Sequence, residues 1–298
     1  MGFFKTLFGG KEETEEQKQQ TKEQYNFEVL TYDGMQALRV GKTDYAIACL
    51  TRALTIKEDE ETRQHLATAY LQADRIEEAA QEYAVLCEQH GDQPTYHIAR
   101  AELLFQLEHY EALQQSCRQA LEANPSLAMP HLLLAKSAMA TGDAQQAVDE
   151  ASKAIVAKDD YAEAYFVRAS AYMQLQQYEA ANADLDRLIN ADVATDDVLM
   201  LKASLCVLTG DKEQAIDCYR QVIDSNPFVP DAYMALASLY DSCGKPDEAG
   251  QVIAEAAEQL GMSPEEAKKQ LVGDARSLEE YMQNAYNALN PYQFSVNL

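Results

Sequence analysis

The chain repeats itself about every 34 residues, and few folds accommodate such a period. Ala79, Leu113, Ala147, Ala181, Ala215 and Ala249 keep that spacing, with Ala46 preceding them by 33. A second column runs in step: Gly34, Ala67, Ala101, Ala135, Ala169, Ala203 and Ala237. A fixed period of this length marks a stack of helical hairpins, in which no single hairpin buries its apolar face alone. Such a stack grows by addition, so a length of 298 residues does not oblige the chain to split into separate domains.

About seven hairpins fit between residues 25 and 261. Their internal turns fall at Gly41, Asp74, Glu108, Gly142, Gln176, Gly210 and Gly244, and the glycines among them suit the left-handed residue that ends a helix. Asn124-Pro125 and Asn226-Pro227 mark boundaries between repeats, because a residue before proline is pushed out of the helical region. Residues 1–24 read as a flexible arm with an apolar tip, a Gly9-Gly10 break and a polar stretch, either a solvated helix or a tether. After the repeats, Ser263-Pro264-Glu265-Glu266 and Ser277-Leu278-Glu279-Glu280 each carry a capping box. They predict two terminal capping helices within 262–290, roughly 264–272 and 278–289, followed by a tail over 291–298.

The pattern resembles the tetratricopeptide repeat (TPR). The segments from Ala162 and Asp231 carry it best: a large aromatic (Tyr165, Tyr233), a small residue (Ala169, Ala237), a tyrosine (Tyr172, Tyr240), then the small residue of the second helix (Ala181, Ala249). Arg63, His97 and His131 replace the first aromatic and Leu113 a small residue, so the second to fourth repeats are expected to pack less regularly. The resemblance implies an all-α, right-handed superhelix, an α-solenoid, serving as a binding scaffold.

Composition narrows the partners. Lys and Arg number 24 against 49 Asp and Glu, a net charge of −25. That repels phosphate backbones and anionic lipid, which argues against nucleic acid. The six cysteines (Cys49, Cys87, Cys117, Cys206, Cys218, Cys243) form no CxxC pair, which fits a reduced, cytoplasmic compartment better than disulfides or metal. Residues 1–8 match the myristoylation pattern through Gly2 and Thr6, but the acidic stretch that follows lacks the polybasic second signal of a stable anchor. No phosphate loop, HExxH or nucleophile elbow occurs, and the five histidines do not cluster. Asp159-Asp160 and Asp196-Asp197 sit where helix N-caps and first turns are expected. No catalytic residue, cofactor or metal is expected.

In proteins of the resembled family a second stripe of each first helix lines a concave groove. Here it reads Met35 and Leu38; Gln64, Thr68 and Leu71; Ile98, Glu102 and Phe105; Met129, Leu132, Lys136 and Met139; Phe166, Ser170 and Met173; Met200, Ser204 and Val207; Met234, Ser238 and Asp241. Methionine is flexible and suits varied apolar partners. The expected ligand is therefore a protein segment, an apolar peptide or amphipathic helix with basic flanks, attracted by acids such as Glu163, Asp197 and Asp231. The competing reading packs the same stripe between neighbouring first helices. The charged clamp with which relatives grip acidic tails is not matched, since of Thr31, Met35, Gln64, Thr68, Ile98, Glu102 and Lys136 only Lys136 is basic. Two alternatives use the ends: a homo-oligomer or membrane-peripheral assembly factor contacting through the FFKTLF segment, or a groove filled by the chain's own arm or by Phe294, Val296 and Leu298.

Overall fold

The computed structural model describes residues 14–263 and 265–267, and within them the protein is helical throughout. The chain divides between Pro125 and Ser126 into two compact bodies. The N-terminal body holds three hairpins: α1 (Glu15–Arg39) with α2 (Thr43–Ile56), α3 (Glu60–Gln72) with α4 (Ile76–Gln89), and α5 (Pro94–Gln106) with α6 (Tyr110–Ala123). The C-terminal body holds four: α7 (Ala128–Ala140) with α8 (Ala144–Ala157), α9 (Ala162–Gln174) with α10 (Tyr178–Asn190), α11 (Asp196–Thr209) with α12 (Lys212–Ser225), and α13 (Pro230–Ser242) with α14 (Pro246–Gln259). Within each body every second helix also packs on the first helix of the next hairpin.

The two columns of small residues are where helices touch. Ala46, Ala79, Leu113, Ala147, Ala181, Ala215 and Ala249 are all buried, as are Gly34, Ala67, Ala101, Ala135, Ala169, Ala203 and Ala237. The approach is tightest at Gly34, where a Cβ would lie 2.6 Å from Leu50 Cγ. The internal turns fall at the expected residues, all with positive φ, from +57° at Asp74 and Gln176 to +86° at Gly210. Each except that at Gly210 closes with the paired bonds of a Schellman end, for example Lys42 N to Ala37 O and Gly41 N to Leu38 O. Asn124 and Asn226 are extended, as the following prolines require.

The first helix begins earlier than the repeat pattern suggests. Thr14 caps it in a reciprocal box with Gln17, and Lys18–Glu15, Gln19–Glu23 and Gln24–Glu28 bonds support the exposed stretch. The polar half of the arm from Glu15 onward is thus the start of α1. At the other end Ser263 and Glu266 form the expected reciprocal box, and Ala267 joins the core of α11–α14. Residues 1–13, which include the apolar tip and the Gly9-Gly10 break, the rest of the first capping helix, the second one and the tail lie outside the described residues.

Where an aromatic was expected, polar pairs fill the space. Arg63 of α3 grips Glu58 through Nε and Nη2 at 2.8 and 2.6 Å and also meets Glu82 of α4. His131 Nδ1 of α7 lies 2.7 Å from Glu150 Oε2 of α8. His97, 2% exposed, sets Nε2 3.2 Å from Gly91 O. Each of these first helices still packs on its second helix.

Candidate functional site

The second stripe divides by depth. Leu132 and Met139 of α7 are 0% exposed, and Ser170 (4%), Met173 (5%), Met200 (3%) and Ser204 (1%) are as closed. These side chains fill the interior and cannot meet a ligand in this conformation. The serines are also satisfied within their own helices, Ser170 Oγ donating to Phe166 O and Ser204 Oγ to Met200 O, both at 2.9 Å. In the C-terminal body the first helices of successive hairpins pack directly on one another, α7 on α9 and α9 on α11, which encloses whatever lies between them.

The rest of the stripe reaches solvent. Ile98 and Phe105 on α5 are half-buried, as are Met129 and Lys136 on α7, Phe166 on α9, Val207 on α11, and Met234 and Ser238 on α13. Thr68, Leu71, Glu102 and Asp241 are exposed, and Met35, Leu38 and Gln64 half-buried. Several carry partners: Gln64 Nε2 donates to Tyr96 OH at 2.7 Å, Phe105 meets Tyr110 edge-on at 6.1 Å, and Tyr161 OH donates to Met129 Sδ at 3.2 Å. Lys136 pairs with Glu163 of α9, so one acid expected on the rim is already engaged by the stripe's own cation.

Where α9, α10 and α11 meet, a concavity of about 260 Å³ opens around Phe166. Ala162, Leu188, Val193 and Val198 give it apolar walls, with Glu163, Thr195 and Asp197 beside them. Thr195 caps α11, its Oγ1 accepting from Val198 N, which puts Asp196 and Asp197 in the first turn, where negative charge is favoured. Asp196 is used structurally, accepting from Ser225 Oγ and Asn226 Nδ2 at 3.1 and 2.9 Å. Asp197 is exposed beside the concavity. Sequence reasoning named Phe166, Glu163 and Asp197 but missed Leu188 and Val193. These sit at the end of a second helix and in the loop after it, outside the columns that define the stripe.

Among the described residues no group of three or more His, Cys, Asp and Glu side chains gathers as metal ligands. Five of the six free cysteines are buried, and burial pushes the Cys87 and Cys206 thiols up to about 11, leaving them protonated at neutral pH. No described helix is long and apolar enough to cross a membrane.

Residues 132–196 and 209–266 match the family model of the tetratricopeptide repeat. No curated protein matches the chain. Among solved structures the fold is similar to a tetratricopeptide repeat protein from Parabacteroides merdae (TM-score 0.62, 16% identity, 83% of this chain and 98% of that one). It is also similar to PilW, a type IV pilus biogenesis factor (TM-score 0.60, 18% identity, 71% and 97% covered). A third is YrrB, a TPR protein with an unusual peptide-binding site (TM-score 0.52, 18% identity, 64% and 99% covered).

Proposed function

We propose that this tetratricopeptide repeat protein is a non-catalytic adaptor that holds a partner's apolar segment at the α9–α11 concavity. The observation carrying the reading is the concavity itself: apolar walls around Phe166, sized for a side chain rather than a metabolite, with Asp197 exposed beside it. Apolar anchors supply affinity in such a site, while nearby acid favours a lysine or arginine flanking the anchor. Met129, Met234 and Val207, the other half-buried apolar residues of the stripe in the C-terminal body, lie outside the concavity's lining. YrrB, similar in fold, is described as peptide-binding, which supports peptide capture as the mode.

The test uses synthetic peptides carrying one leucine or phenylalanine anchor, with flanking arginines or flanking glutamates, titrated against the full chain. The arginine-flanked peptide is expected to bind and the glutamate-flanked one not. Phe166→Ala should weaken binding about thirty-fold, the effect of losing roughly 2 kcal/mol at a buried anchor. Equal binding of both peptides, or indifference to Phe166→Ala, would refute the reading.

A further inference from the structure

The first helix is out of proportion to the others. It has 25 residues, nearly twice the length of any other described helix. The surplus is its N-terminal half. Glu15 to Asn26 are all exposed, and a helical stretch of that length is marginal in water on its own. The face that later first helices turn toward the preceding hairpin is open as well. On α9 the equivalents of Val29, Tyr32 and Gln36 are Ala164, Val167 and Ala171, all 0% exposed. On α1, Val29 is 38% and Tyr32 62% exposed, with Tyr25 one turn earlier at 65%. The terminal face of a stacked array is ordinarily polar, and this one is not.

The exposed half and the open face form one seam. Tyr25, Val29 and Tyr32 lie at spacings of four and three, and the same alternation runs back through Lys22 and Lys18 to Glu15 and forward through Gln36 to Arg39. That is the 3.5-residue period with which helices wind around one another. Phe27 and Gly34, both buried, lie on the opposite side of α1, so the seam points away from the chain's own core. Its charges select a partner and a direction. A parallel copy would set Lys18, Lys22 and Arg39 each against its own counterpart. An antiparallel copy, related by a two-fold axis level with Phe27, sets Tyr25 on Val29, Lys22 over the Tyr32 ring, Lys18 beside Gln36 and Glu15 against Arg39, each contact made twice. Shifting the register by one heptad brings Lys22 against Arg39 in one direction and Lys18 against Val29 in the other. Glu28, meeting its counterpart beside the axis, lowers the affinity of this register without favouring another. The chain carries −25, yet the seam holds three cations and one acid, so two copies would meet where the negative charge is locally reversed.

We propose that two copies of the chain pair through α1, antiparallel, each copy's exposed N-terminal half lying along the other's open stacking face. The seam belongs to the N-terminal body and the α9–α11 concavity to the C-terminal one, so this test and the peptide test are independent. Full-length parent and variants are compared by sedimentation across a dilution series, with cooperative thermal unfolding as the check that each is folded. The parent is expected to reach the mass of two chains and to dissociate on dilution. Tyr25→Glu/Tyr32→Glu, at exposed positions, should fold and have the mass of one chain. Glu15→Lys and Arg39→Glu should each weaken the dimer about tenfold, since each acts at two symmetric contacts, and their combination should restore it. Glu15 and Arg39 of one chain lie about 36 Å apart along α1, so such a rescue arises only between copies. A parent of one-chain mass at every concentration overturns the proposal, as do single reversals without effect or a combination that fails to restore the dimer. A one-chain parent whose Tm falls in Tyr25→Glu/Tyr32→Glu would instead have the face covered within its own chain.

Discussion

Gly34 and Gly250 both sit inside helices, and their surroundings make them opposite cases. Replacing either with alanine should favour the helix by about 1 kcal/mol. At Gly250 the new Cβ would meet nothing within 4 Å, so Gly250→Ala is expected to stabilise by up to about that amount. At Gly34 it would fall 2.6 Å from Leu50 Cγ and 2.8 Å from Leu50 Cδ2, and Leu50 is 0% exposed with little room to give. Overpacking of this kind costs about 1–3 kcal/mol, so Gly34→Ala should be net destabilising, by about 1 kcal/mol. Denaturant midpoints of the two variants check both signs, and stabilisation by Gly34→Ala would mean that α1 and α2 stand further apart than described. At this scale the sequence was most legible. The columns that place Gly34 and the turns that place Gly142 follow from the period, because steric demands on a close approach or a positive φ leave few residues to choose from.

Between elements, polar pairs link α7 through α11. Arg168 of α9 grips Asp184 of α10 with two bonds, Nε to Oδ2 at 2.8 Å and Nη2 to Oδ1 at 2.7 Å, and reaches Ser152 of α8 at 3.1 Å. The Asp184 side chain is 7% exposed. Asp184→Ala strands a largely enclosed guanidinium, so a loss of about 3 kcal/mol is expected by denaturant titration, part of it recovered by adding Arg168→Met. A loss under about 1 kcal/mol would show the pair to be dispensable. Glu150 gives a pH signature. Burial would raise its carboxyl, but hydrogen bonds from His131 and Lys153 outweigh that and hold it below the ordinary carboxylate range. A depressed folded value contributes stability above the unfolded value of about 4.3 and loses it as pH falls through the folded one. Glu150→Gln should therefore be less stable than the parent at neutral pH and should lose less stability on acidification below about pH 4.3. Parallel acid curves for the two would remove Glu150 from the account. These pairs were hidden in the sequence, where Arg63 and His131 stood out as replacements for the expected aromatic but their partners could not be read. Which distant acid answers each base depends on how the hairpins pack, and the period does not encode that.

For the molecule as a whole, register along the chain set the fold but not the depth of the candidate site. Leu71, Phe105, Met139, Met173 and Asp241 share one column, yet Leu71 and Asp241 are exposed while Met139 and Met173 are enclosed. Depth is decided by the side chains that neighbouring first helices bring together, so a stripe that looked uniform became interior at Met139, Met173 and Met200 and reaches solvent at Met129 and Phe166. Charge, by contrast, is a global property that composition reports directly. A net −25 produces a field that accelerates encounter with a basic-flanked peptide and is screened once the Debye length shortens to about 10 Å or less. Anchoring of an apolar side chain against Phe166 is nearly insensitive to that screening. Raising salt from about 20 mM to about 200 mM should thus slow association of an arginine-flanked peptide several-fold and leave its dissociation rate almost unchanged. Asp197→Lys should slow association at low salt and flatten the salt dependence, whereas Phe166→Ala should hasten dissociation and keep the slope. Stopped-flow measurements on the three proteins separate the two contributions. If Asp197→Lys leaves the slope intact, the attraction comes from the diffuse charge of the whole surface, and the concavity supplies only the anchor.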